Sequence, residues 1–158
     1  MKKTKDLFIK KCLVIFFQIV VVLFGIGAFA LLLWEPQIEG VNVHATNFEI
    51  YFKDPFLALV YLGSIPFFFA LYQVFKILGL AMRDKIFSRA TVKSLRTIKY
   101  CAIIVVGFVV VEEIFIILNH GSDDPAGGIF IGTIIISGAI IAVILAAKLE
   151  RFLQKNIK

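Results

Sequence analysis

The sequence predicts an all-α membrane protein: a four-transmembrane-helix bundle with a small extracytoplasmic β-hairpin-like cap between helices one and two. Three observations predict it. Four long apolar runs, Cys12 to Trp34, Phe56 to Met82, Lys99 to Leu118 and Gly127 to Ala147, are separated by short polar stretches. At a rise of ~1.5 Å per residue, each is long enough to cross the ~30 Å hydrocarbon core of a bilayer as a helix. The 158 residues are 60% hydrophobic, with a mean hydropathy of +0.95, which no ordinary soluble domain approaches. Too little chain remains outside the runs for a separate soluble domain, so residues 1–158 are expected to form one integral membrane domain.

The third observation is where the charges fall. The net charge is +6. Lys2, Lys3, Lys5, Lys10 and Lys11 precede the first run. Lys76, Arg83, Lys85, Arg89, Lys93, Arg96 and Lys99 cluster at the junction of the second and third, and Lys148, Arg151, Lys155 and Lys158 close the chain. The other two connections carry Glu35, Glu39, Glu49, Asp54, Asp123 and Asp124, with Lys53 as their one cation. The positive-inside bias then assigns both termini and the middle loop to the cytoplasm of a multi-pass cell-membrane protein. Basic segments at that surface attract anionic lipid headgroups, and Lys85, Arg89, Lys93 and Arg96 are the candidate contacts to headgroups or a partner. Nucleic acid is not an expected partner, because these cations flank membrane spans rather than lining a recognition helix.

The first helix enters from the basic side and should stop at Trp34-Glu35-Pro36, with the indole at the interface and Pro36 halting the helix. Ala28-Phe29-Ala30 imitates a signal-peptide cleavage site. The run continues through Leu31, Leu32, Leu33 and Trp34, longer than an ordinary signal sequence, so an uncleaved helix is expected. Gly25 and Gly27 are thin spots for a neighbouring backbone. In the first connection, Val41, Val43, Phe48, Ile50 and Phe52 alternate with polar residues around Ala45-Thr46-Asn47, the pattern of a small hairpin lying over the helix ends.

Helix two follows Pro55 and should kink at Pro66; Lys76 can snorkel toward the headgroups. Ser88 is the candidate N-cap of helix three, which starts outside the membrane with Val92, Leu95 and Ile98 on one stripe. Asn119 to Pro125 reads as a polar turn. Helix four carries Gly128, Gly132, Ala139 and Ala146 on roughly one face, spacing that lets helices pack closely, with helix one or another subunit as the partner. Cys12 and Cys101 fall at the reducing end of their spans and read as small buried residues rather than a disulfide or zinc site.

Glu112 and Glu113 are the only acids inside an apolar run. Glu113 lies ~21 Å along the helix from Lys99, in the outer third of the bilayer. Helix periodicity turns the two side chains about 100° apart, so they should not face one cavity. Tyr61, Ser64 and Thr133 are the polar residues expected at matching depth, while Gln18 lies nearer the cytoplasm. No Lys or Arg occurs in a span at that depth, so neutralisation must come from protonation, hydrogen bonds, water or a bound cation. Two readings stay open: a ligand-, proton- or cation-binding site, or carboxylates that simply remain hydrated in an outer vestibule. His120 and His44 read as loop residues. No phosphate-cradling Gly loop, His-Glu-x-x-His or Cys-x-x-Cys occurs, so no catalytic residue, cofactor or metal is expected.

Phe87-Ser88-Arg89-Ala90-Thr91-Val92-Lys93-Ser94-Leu95-Arg96-Thr97-Ile98 resembles a segment of small four-span bacterial membrane proteins, domain-of-unknown-function family 2975. There the pattern is Phe-Ser, a variable pair, Asn-Val, then Leu-Arg-x-Ile before the third span. Phe87, Ser88, Val92, Leu95, Arg96 and Ile98 match it; Thr91 replaces the Asn and Lys99 stands where Gly is common. The resemblance implies four spans with a longer first outer loop, and a regulatory or stress-linked membrane role, since members are often encoded beside a helix-turn-helix regulator. It supplies no catalytic residues. The expected function is therefore a non-enzymatic bacterial inner-membrane sensor or accessory subunit of a membrane complex, joined to another membrane protein or to its own copies. The alternative is an oligomeric small transporter or channel subunit using Glu112 and Glu113 for protons or cations.

Overall fold

A computed structural model of the chain describes residues 2–38, 46, 48, 49, 55–119 and 125–157. Four long helices account for nearly all of them: α1 (Lys2–Ile38), α2 (Pro55–Met82), α3 (Arg89–Asn119) and α4 (Ala126–Asn156). Each is long and apolar enough to cross a membrane. The helices pair in chain order, α1 on α2, α2 on α3 and α3 on α4. The arrangement is a row with α3 well inside it rather than a closed ring, since α1 and α4 share no extensive seam among the described residues.

α1 outruns its expected end. Pro36 does not halt it: the helix continues to Ile38 with Pro36 fully buried in its last turn. A proline lacks the N–H that would bond the carbonyl four residues back, here that of Leu32. Tyr61 of α2 makes good the loss, its hydroxyl donating to Leu32 O at 3.1 Å. Below that bond the α1–α2 seam is aromatic, with Phe24 edge-on to Phe67 at 6.0 Å and Phe29 to Phe68 at 6.1 Å between ring centroids. α2 runs unbroken through Pro66.

The β-hairpin-like cap finds no support. The described residues contain no strand, and Phe48 and Glu49 are helical. The physical reason is a reciprocal cap. Thr46 N and Oγ1 donate to Glu49 Oε2 at 3.1 and 3.0 Å, and Glu49 N donates to Thr46 Oγ1 at 3.4 Å. That Thr-x-x-Glu pairing opens a helix rather than turning a hairpin. Val41, Val43, Ala45, Asn47, Ile50 and Phe52 lie outside the described residues, as do His44 and the turn residues His120 to Asp124.

The α2–α3 turn is tightly built. Lys85 N donates to Leu80 O at 2.9 Å and Asp84 N to Ala81 O at 3.2 Å, with Asp84 at φ 53°. This is a Schellman cap with Asp in the left-handed position that glycine usually takes. Ser88 caps α3 as expected, its Oγ accepting from Thr91 N at 3.4 Å. Thr91 is almost wholly buried, and its hydroxyl reaches both Ser88 Oγ at 3.2 Å and Lys85 O at 3.4 Å.

The small face of α4 packs on α3, not on α1. A Cβ placed on Gly128 would stand 2.8 Å from Ile116 Cδ1, and Ala146 is buried in a cluster with Leu95, Ile98 and Leu153. Val74 and Ile77 of α2 close that cluster from the other side of α3. α4 extends to Asn156, well past the expected Ala147, because its last turns pack on the first turns of α3.

Candidate functional site: carboxylates in two helix seams

Periodicity sends Glu112 and Glu113 into different seams. Glu112 is half-buried against α2, where a Cβ on Gly63 would stand 3.3 Å from its Oε1 and 3.0 Å from Phe108 Cβ. Glu113 is half-buried against α4, where a Cβ on Gly132 would stand 2.5 Å from its Oε1. Each carboxyl thus occupies space that a glycine on the facing helix leaves free. Glu113 Oε1 is buried and has no hydrogen-bond partner among the described residues. From Glu113 to the end of α3 at Asn119 is only ~9 Å, so both carboxyls sit in the third of the bundle nearest the acidic connections. Glycine spacing was the signal that could have identified Gly63 and Gly132; depth matching alone did not.

The three polar residues matched by depth are engaged elsewhere. Tyr61 is bound to Leu32 O of α1. Ser64 Oγ donates to Tyr61 O within its own helix at 2.7 Å. Thr133 is exposed, and its hydroxyl returns to Ile129 O at 2.8 Å. Ser and Thr commonly satisfy themselves this way inside helices. The structure therefore places Glu112 and Glu113 in separate seams of α3, without drawing Tyr61, Ser64 and Thr133 around them. Among the described residues no group of His, Cys, Asp and Glu is arranged to hold a metal ion.

The basic end contains a second polar centre, one that sequence reasoning missed. Glu150 of α4 is buried, yet its carboxylate accepts from Arg96 Nε and Lys99 Nζ, each at 2.9 Å, and from Gln154 Nε2 at 3.4 Å. Two cations from successive turns of α3 thus clamp one anion of α4. Nearby, Arg89, Val92, Gln154 and Ile157 line an open groove of about 300 Å³. Lys85, Arg89 and Lys93 are exposed; Arg96 is half-exposed but committed to Glu150. At the outer edge of this end, Lys10 of α1 donates to Asp84. That hydrogen bond and the charges of Lys10 and Lys11 hold the Asp84 carboxyl below its ordinary value.

Residues 40–158 match the model of a protein family of unknown function, DUF2975. The chain belongs to the DUF2975 family. An uncharacterized membrane protein of Bacillus subtilis (strain 168), YoaS, is 34% identical over 144 residues, covering 90% of each chain. No solved structure matches. In this DUF2975 member the segment from Phe87 to Ile98 is the α2–α3 turn and the opening of α3. Ser88 caps the helix, Leu95 and Ile98 are core, Val92 packs on that core, Arg96 grips Glu150, and Phe87 leans on Phe152 of α4 at 6.4 Å between centroids. All of the segment's matched residues but Ser88 help fasten α3 to α4.

Proposed function

We propose that this DUF2975 protein is a non-enzymatic sensor or accessory subunit of a bacterial cytoplasmic-membrane complex, with the basic end and both termini in the cytoplasm. One observation carries the reading. Glu112 and Glu113 put two carboxyls into the two seams of α3, with glycine opposite each and no cation paired to either among the described residues. A charge at mid-bilayer costs ~2.5–3.5 kcal/mol, and one at the shallower depth of these carboxyls costs less but still favours neutralisation. A proton, a cation or a partner's donor that neutralises either carboxyl therefore changes how tightly α2 and α4 close on α3. The acidic end becomes the sensing end, and the exposed cations Lys85, Arg89 and Lys93 at the other end meet anionic lipid or a cytoplasmic partner.

The test is purification from native membranes in mild detergent across a pH series, with co-purifying proteins identified by mass spectrometry. Glu112→Gln/Glu113→Gln should alter the partner set or abolish its pH dependence. Identical partner recovery from the wild type and the variant at every pH would contradict the sensing role. Proton, Na⁺ or K⁺ flux in reconstituted vesicles, abolished by the same substitutions, would instead favour the transporter or channel reading.

A further inference from the structure

At the basic half of the molecule, one face of α1 and Phe75 of α2 border an open groove of about 300 Å³. It is lined by Ile15, Gln18, Ile19, Val22, Leu23 and Phe75. The Phe24–Phe67 and Gly25–Leu71 contacts close it toward the acidic end. Its walls are apolar and accessible: Ile19 and Leu23 are 53% and 62% exposed. The exception is Gln18, whose Nε2 lies where a Cβ on Gly79 would meet it at 3.8 Å, and whose amide has no hydrogen-bond partner among the described residues. An amide facing hydrocarbon without a partner is costly.

The charges at the open end are complementary to one class of occupant. Lys11 precedes Ile15 by one turn on the same stripe of α1 as Ile15, Gln18 and Val22. Arg83 follows Gly79 by four residues, just past the end of α2. Both are exposed. The acid at this end, Asp84, is already taken by Lys10. We propose that the groove is a binding site for one anionic glycerophospholipid. One acyl chain lies along Ile15, Ile19, Val22, Leu23 and Phe75, the phosphate sits between Lys11 and Arg83, and Gln18 donates to the glycerol ester region. The lining is apolar apart from Gln18, and cations flank it, which suits an acyl chain carrying an anionic headgroup. The site deepens the membrane-partner reading above and rests on its placement of the basic end at an anionic leaflet.

The experiment is native mass spectrometry of the full chain in detergent micelles titrated with phosphatidylglycerol or phosphatidylcholine. The wild type should retain one phosphatidylglycerol in preference to phosphatidylcholine. Lys11→Gln/Arg83→Gln should weaken retention about 30-fold, since each basic group near an anionic surface is worth about 1 kcal/mol and 1.4 kcal/mol is a factor of ten. Ile19→Trp, which fills the groove at an exposed position, should lose the lipid without touching a charge, while Lys148→Gln/Lys155→Gln, two exposed cations of α4, should leave retention unchanged. Equal retention of the two lipids would overturn the proposal. So would unchanged binding in Ile19→Trp with its helical circular dichroism intact, or an equal loss in Lys148→Gln/Lys155→Gln. Because micelles have no inside, failure here condemns the groove and leaves the orientation to be judged by labelling.

Discussion

Gly132 lacks a side chain where Glu113 needs room, and that one contact shows how this protein stores polar groups in an apolar solvent. A methyl at position 132 would meet Glu113 Oε1 at 2.5 Å. Gly132→Ala should therefore cost about 1–3 kcal/mol, the usual range for overpacking a well-filled seam. The penalty should shrink in a Glu113→Ala background, a coupling that a double-mutant cycle in detergent unfolding measures; an equal penalty in both backgrounds would show that the glycine matters for another reason. Glu150 is the opposite case, a buried acid with its cations supplied. Glu150→Ala strands Lys99 and frees Arg96. The expected loss is about 1–2 kcal/mol, between an exposed and a fully buried pair, because Arg96 is half-exposed and Lys99 partly so. Arg96→Ala alone should cost less, since Lys99 still holds the carboxylate.

The helices were largely legible in the sequence because the bilayer imposes a simple rule on length and hydropathy. α2 falls within a residue of its expected start and at its expected end, and Ser88 caps α3 as its position before a periodic run implies. What failed was decided by tertiary contacts. Pro36 reads as a stop, and α1 passes through it with the Tyr61 hydroxyl satisfying the Leu32 carbonyl that the proline leaves without a donor. Tyr61→Phe should loosen the upper α1–α2 seam by about 1 kcal/mol, the net worth of one hydrogen bond, read as faster amide exchange at the end of α1. Thr46 and Glu49 alternate with apolar neighbours and so imitate a strand, yet their spacing is also that of a helix-opening box, and the reciprocal bonds favour the second. Glu150 lies beyond the expected end of α4 at Ala147, among four cations of the closing segment, and draws no reading from the sequence. Its burial depends on Arg96 and Lys99, residues more than fifty positions away along the chain.

The same scale holds the pH dependence. Asp84 takes the left-handed position of the α2 cap and receives Lys10 from α1. Its carboxyl titrates below the ordinary value, so the contact stabilises the folded state above the unfolded aspartate pKa of ~3.9 and is lost as pH falls through the lowered folded value. Amide exchange in residues 7–16, measured against Asp84→Asn at each pH, should show protection that converges on the variant in acid and separates from it toward neutrality. Parallel profiles would remove Asp84 from the account.

At the scale of the whole molecule, the row of helices is unevenly tied. α3 is gripped from both sides, whereas α1 is bound along one seam with α2 and exposes Phe8, Phe16, Leu23 and Leu31 over more than half their surface. α1 is thus the helix that leaves the most apolar surface open to lipid or to a partner helix. Polarity is as uneven as packing. Lys10 with Asp84, and Arg96 and Lys99 with Glu150, bring the beginning of the chain, the α2–α3 turn and the end of the chain to one pole. Asp123 and Asp124 belong to the opposite connection, and Glu112 and Glu113 lie one to two turns from it.

That polarity makes thiol labelling in intact cells the most direct measurement. In a chain carrying Cys12→Ser and Cys101→Ala, single cysteines are introduced by Lys85→Cys in the α2–α3 turn or Asp123→Cys in the α3–α4 connection and exposed to a membrane-impermeant maleimide. The account predicts that Asp123→Cys labels at once and Lys85→Cys labels only after the cells are permeabilised. Labelling of Lys85→Cys in intact cells, with Asp123→Cys protected or equally reactive, would contradict it.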